Sequence, residues 1–205
     1  QRISKSVDFL EKNSKVVALS TSMKVIDHNS ETVSDNRWLR KTCIFTPKHY
    51  TNEKFDHISG ASRIISRKLL KVFPKLNLDC PTEDATFLFR AFLVGSVAEI
   101  DHVGVYYRVH NHNVSKNINK KLTTINKIAE QHKTDLNYFR DNFHLSIHVV
   151  SDFQKKIEQD SQKRRSKDTN KKTKTTYTKY YAKAKKKLKK QIENPLVKVY
   201  SHPRS

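Results

Sequence analysis

Glu83 and Asp84 are adjacent carboxylates at the head of a strongly apolar run, residues 85–94. About two dozen residues downstream the chain reads Tyr107-Arg108-Val109-His110, with Asn113 and Ser115 just beyond. A carboxylate at a helix start, followed by a loop bearing a cation and an imidazole, suits transfer of a group off a phosphate leaving group. Asp84 is the candidate general base. Exposed backbone N–H groups and the positive end of the helix dipole hold a carboxylate in a first turn, and it can take the proton of an attacking hydroxyl. Arg108 and His110 are candidates for stabilising the charge left on the phosphates. Glu83 is placed to orient acceptor hydroxyls or to brace the loop. For both acids, helix capping is the competing role.

The elements that must position these residues are legible in outline. Thr82, preceded by Pro81, predicts the N-cap of a deeply buried helix over residues 85–94, with Gly95 as its C-cap. Residues 97–100 and 105–109 predict two strands, with 101–104 as the turn between them. Ser59 predicts the N-cap of a helix over residues 61–73, carried by Ile64, Ile65, Leu69, Val72 and Phe73 and closed by Pro74. Residues 16–20 predict a buried strand, and residues 23–26 continue it as a bent or second strand. At the start, Ile3, Val7 and Leu10 mark one helical face. Farther on, Ile125, Ile128, His132, Leu136 and Phe139 mark a helical stripe, and Ile147, Val150, Phe153 and Ile157 mark another.

Composition excludes several classes. The only glycines are Gly60, Gly95 and Gly104, so neither a G-x-G-x-x-G nor a Walker-type phosphate loop exists in this chain. Cys43 and Cys80 have neither metal-site nor redox-motif spacing and read as small buried hydrophobes. Residues 1–10 lack the charged-then-apolar pattern of a secretory signal. No apolar run approaches the ~18–20 residues of a membrane span. Trp38 reads as core, with stacking on a sugar face as the alternative.

The pattern S-G-x-S at residues 59–62, then E-D-x-x-x-x-x-R at 83–90, then Y-R-x-H-x-x-N-x-S at 107–115 resembles the second half of a family 2 glycosyltransferase. The resemblance covers residues 1 to about 115. It implies an α/β fold: the acceptor-side half of a GT-A (Rossmann-like) domain, followed by C-terminal helices. It implies inverting transfer of a sugar from a nucleotide-sugar donor to a glycan or lipid-linked acceptor, in cell-surface polysaccharide synthesis. In that scheme Asp84 is the base, Gly60 lies close to the acceptor sugar, and Arg108 and His110 serve the donor diphosphate. His110 then completes the site of a divalent metal, Mg or Mn. No D-x-D occurs in the chain. The resemblance thus implies that the sequence begins just after that motif, that the nucleotide-binding half is missing, and that this chain alone is nearly inactive.

The net charge of +21 is uneven: residues 1–115 carry +5 and residues 116–205 carry +16. We expect a helical extension over 116–160, a lysine-rich linker over 161–176, and a basic amphipathic helix and tail over 177–205. Tyr177, Tyr180, Tyr181 and Leu188 beside a crowd of lysines suit an anionic membrane surface, at the cytoplasmic face. The alternatives are a basic nucleic-acid-binding protein or a noncatalytic scaffold. The charge is mostly lysine, no nucleic-acid recognition motif appears, and both alternatives leave the 82–115 pattern unexplained.

Overall fold

A computed structural model describes residues 1–33, 41–52, 58–110 and 122–169. In chain order the elements are α1 (Arg2–Lys12), β1 (Val16–Ile26), β2 (Cys43–Phe45), α2 (Pro47–Thr51), β3 (Arg63–Ile65), α3 (Arg67–Val72), α4 (Glu83–Val94), β4 (Ser96–Arg108), α5 (Leu122–Phe143) and α6 (Ile147–Thr169). The fold is α/β, with a four-stranded mixed sheet ordered β2-β4-β1-β3. β1 and β4 run parallel at its centre, and β2 and β3 are antiparallel to their neighbours.

The two central strands are almost wholly apolar at their starts because both faces are covered. On one face Val17, Ala18 and Val97 pack with Phe89, Phe92 and Leu93 of α4, Leu136 of α5 and Phe153 of α6. On the other, Leu19, Ala98 and Ile100 pack under Phe9 and Leu10 of α1. Helix α4 is therefore buried nearly all round, from Thr86 to Leu93. Two of its three phenylalanines, Phe89 and Phe92, are fully buried, and each contributes roughly 1.5–3 kcal/mol.

Several elements differ from the sequence expectation. Residues 97–109 do not form two strands with a turn. β4 is one strand that pairs with β1 along its length, from Val16↔Ser96 to Ile26↔Arg108. Irregularities at Thr21–Ser22–Met23 absorb the extra residues, so the predicted turn becomes a bulged stretch. The same irregularity makes residues 16–26 one bent strand. Residues 61–73 do not form one helix. The β-branched pair Ile64-Ile65 joins the sheet opposite Leu19 and Ala18, as such side chains favour. The N-cap is Ser66, whose Oγ accepts from the Leu69 N–H at 3.3 Å, rather than Ser59. In α1 the stripe is rotated: Ser6 is buried, while Ile3 and Val7 are 65% and 42% exposed.

Residues 1–169 form one compact unit. Helix α6 continues to Thr169, nine residues into the stretch read as a linker. Among the described residues no helix is long and apolar enough to cross a membrane. Trp38, Asn113, Ser115 and the basic segment from residue 170 lie outside the described residues.

Candidate functional site

The first turn of α4 carries Glu83 and Asp84, both exposed. Thr82 is the N-cap but makes no side-chain cap bond, and its buried Oγ1 has no partner among the described residues. The N–H groups of that turn therefore receive no side-chain oxygen from the cap.

Against this turn lies the 59–62 turn, which β1 fixes from below. Ser20 Oγ donates to the Ser59 carbonyl at 2.9 Å, and Ser62 Oγ donates to the Thr21 carbonyl at 2.7 Å. Ser59 Oγ sits 3.3 Å from Met23 Sδ and accepts from the Ala61 N–H at 3.2 Å. Gly60, at the centre, is pressed against Asp84. A Cβ there would stand 2.7 Å from the Asp84 Cβ and 2.9 Å from its Cγ, and would overlap Oδ2. The space that a side chain would fill at position 60 is occupied by the Asp84 carboxylate. The glycine makes room for the candidate base.

A third residue, which the sequence reading passed over, joins the two turns. Arg63 opens β3 and donates through Nη1 to the Asp84 carbonyl and through Nη2 to the Ile58 carbonyl, the latter at 3.0 Å. Burial lowers its pKa from the ordinary arginine value, and the Asp84 charge partly offsets that. The signal was adjacent to the motif: Arg63 directly follows Ser62.

Arg108 and His110 lie at the far end of the central strands. Arg108 pairs with Ile26 across the sheet. Its Nη1 donates to the carbonyls of Asp27 and His28 at 2.6 and 3.0 Å, and its Nη2 to Ser30 Oγ at 2.9 Å. The guanidinium thus braces the turn that follows β1. Asp27 Oδ1 accepts from the N–H groups of Asn29 and Glu31 and tightens that turn further. His110 is exposed two residues beyond the strand. Met23, beside the 59–62 turn, and Ile26, beside Arg108, are three positions apart on β1. That is roughly 10 Å of strand. The described bonds of Arg108 go to residues 27–30, not to α4, so the motif residues form two clusters along β1.

Arg90, the arginine of the E-D-x-x-x-x-x-R pattern, is structural. It is buried, and its Nε and Nη2 donate to the two Asp135 carboxylate oxygens, both at 2.7 Å. Its Nη1 donates to the Pro74 carbonyl at 3.0 Å, and Gln131 Nε2 donates to Asp135 Oδ1 at 3.0 Å. This bidentate pair locks α4 to α5 and holds the chain that leads into the site. Beside it, His132 stacks on Phe89 at 4.2 Å between ring centroids. Burial pushes its pKa down to about 3, with the Arg164 charge adding to the effect.

His110 is the one residue the resemblance offers as a metal ligand. Among the described residues no group of three or more His, Cys, Asp or Glu is arranged to hold an ion, so the described residues do not by themselves make up a metal site. A cleft of about 400 Å³ between α2 and α6, lined by Pro47, Lys48, Asp152 and Phe153, contains none of the motif residues.

The fold and site define an α/β domain with a carboxylate-bearing helix start seated on a glycine turn. No protein-family model and no curated protein matches the chain.

Proposed function

We propose that this chain is the acceptor-side part of a family 2 glycosyltransferase of GT-A fold. It would transfer a sugar from a nucleotide-sugar donor to a glycan or lipid-linked acceptor, with inversion, in cell-surface polysaccharide synthesis. The observation that carries the reading is the seating of Asp84 against Gly60. Two motifs 24 residues apart converge so that Arg63 holds the Asp84 main chain while the solvent-facing carboxylate packs against Gly60. A base fixed in that way can accept a proton from an attacking hydroxyl without first reorganising. The parallel β1–β4 pair with an antiparallel strand on each side also accords with the resemblance.

In this reading the acceptor hydroxyl approaches the exposed first turn of α4, hydrogen-bonds Glu83, and gives its proton to Asp84 as its oxygen attacks the sugar carbon. The bond from that carbon to the donor phosphate breaks, and the nucleotide diphosphate leaves with the electron pair. Arg108 and His110, at the other end of the strands, serve the diphosphate. A divalent ion, Mg or Mn, would be held by His110 together with further ligands and would offset charge on the leaving diphosphate; the proton steps use the chain's own carboxylates. The lysine-rich tail attaches the protein to the anionic cytoplasmic face of a membrane.

The test is Asp84→Asn in the intact enzyme, which keeps size and loses basicity. With a panel of nucleotide sugars, turnover should fall at least ~100-fold while nucleotide-sugar affinity is retained. Near-normal turnover in that variant removes Asp84 from the role.

A further inference from the structure

The stretch between the two halves of the site has a surface that the transferase reading does not use. Residues 67–78 run through α3 and the loop after it. They leave Leu70 52% exposed and Leu78 fully exposed, at 109%. Around them Arg67, Lys68, Lys71 and Lys75 are exposed, and none of the four has a hydrogen-bond or ion-pair partner among the described residues. The acid that follows, Asp79, is neutralised by Lys127 at 2.6 Å.

Single exposed leucines are ordinary on protein surfaces. What distinguishes Leu78 is that its loop is tied down. The Pro74 carbonyl accepts from Arg90, the Asn77 N–H donates to Gln131 Oε1 at 3.0 Å, and the Cys80 N–H donates to the Asn77 carbonyl at 2.9 Å. The Arg90–Asp135–Gln131 network is buried and fully bonded, so it fixes the loop with its leucine pointing out.

We propose that residues 67–78 form a membrane-docking edge. Leu70 and Leu78 enter the headgroup region of an anionic bilayer, and the four cations meet its phosphates. Unpaired cations flanking held-out apolar side chains are the complement of an anionic lipid surface; a protein groove would need apolar surface without that charge. Both ends of the segment return to the candidate site. Arg63, four residues before Arg67, donates to Asp84, and Thr82, four residues after Leu78, caps α4. Docking by this edge brings the α4 start beside the lipid surface. The inference goes beyond the transferase reading and does not depend on it.

The test uses the full chain carrying Leu78→Trp and vesicles of phosphatidylcholine and phosphatidylglycerol at 7:3, with some lipids brominated on the acyl chains. Fluorescence quenching should exceed that of the wild type, whose only tryptophan is Trp38, by about twofold or more. Leu122→Trp, at a 53% exposed position on α5, should show no such excess. Tail attachment does not imitate this result, because the readout is the depth of position 78. In a second arm, Leu70→Asn with Leu78→Asn should keep the thermal midpoint and weaken vesicle binding ~10-fold or more, the effect of withdrawing one or two leucines from an apolar phase. Equal quenching at positions 78 and 122, equal quenching on vesicles of phosphatidylcholine alone, or unchanged affinity of the double variant would overturn the proposal. Both arms are independent of sugar transfer, so loss of the Asp84 assignment leaves them intact.

Discussion

Gly60 and Asp84 share one space: the Asp84 side chain lies where a side chain at position 60 would go. The backbone of the 59–62 turn is pinned by Ser20 and Ser62, and the Asp84 Cβ cannot rotate away, so relief must come from a shift of the α4 start that carries Asp84 with it. Gly60→Ala should therefore displace the carboxylate rather than the turn. Overpacking of this kind costs about 1–3 kcal/mol, and turnover should fall with little change in nucleotide-sugar affinity. Denaturant unfolding and single-turnover kinetics on the variant check this. Wild-type turnover would show that the position of Asp84 is not critical.

Arg108 makes three bonds to residues 27–30. Arg108→Ala should loosen that turn and weaken binding of nucleotide sugars, read by calorimetric titration, while acceptor affinity holds. Arg108→Lys should rescue little, since one ammonium cannot reproduce the forked contacts. Loss of acceptor affinity with unchanged nucleotide affinity would reverse the assignment of Arg108 to the donor side.

The Arg90–Asp135 pair is buried, with side chains 4% and 0% exposed. Removing one partner leaves an uncompensated charge in the core and costs about 3–5 kcal/mol. Arg90→Met alone should lower the thermal midpoint by roughly 10 °C. Arg90→Met combined with Asp135→Leu should recover much of the loss. A double variant as unstable as the single one would point to the Pro74 bond, rather than the lone charge, as the source.

His132 gives stability a defined pH dependence. Its ordinary value of 6.5 is pushed down to about 3 in the folded chain by burial and by Arg164, with Arg90 adding a little and a hydrogen bond to the Ala85 backbone opposing. Between these values the unfolded chain holds the proton and the folded chain does not. Stability is therefore complete above about pH 6.5 and declines as the pH falls toward 3, by on the order of 4–5 kcal/mol in total. His132→Phe should flatten this part of the pH profile. Chemical denaturation at a series of pH values reads it directly; an equally steep decline in the variant would assign the loss to other groups.

The sequence alone determined that residues 83–94 form a buried helix opened by two acids. Its apolar residues lie on all sides, and Gly95 follows where an added Cβ would stand 2.6 Å from the Lys15 carbonyl oxygen. It also determined that residues 16–20 and 97–100 are buried strands, because short apolar runs with polar flanks have few other solutions. It did not determine the continuity of β4. A bulge depends on what the partner strand offers, and β1 lies some 80 residues away. Nor did it separate β3 from α3, since Ile64, Ile65, Leu69 and Val72 fit helical spacing whether or not the first two pair with β1. Asp84 and Gly60 were legible as motif residues one at a time. Their contact, the role of Arg63 between them, and the diversion of Arg90 into a core ion pair were decided by tertiary packing. Each depends on groups far apart in the chain meeting in a space that local propensity does not describe.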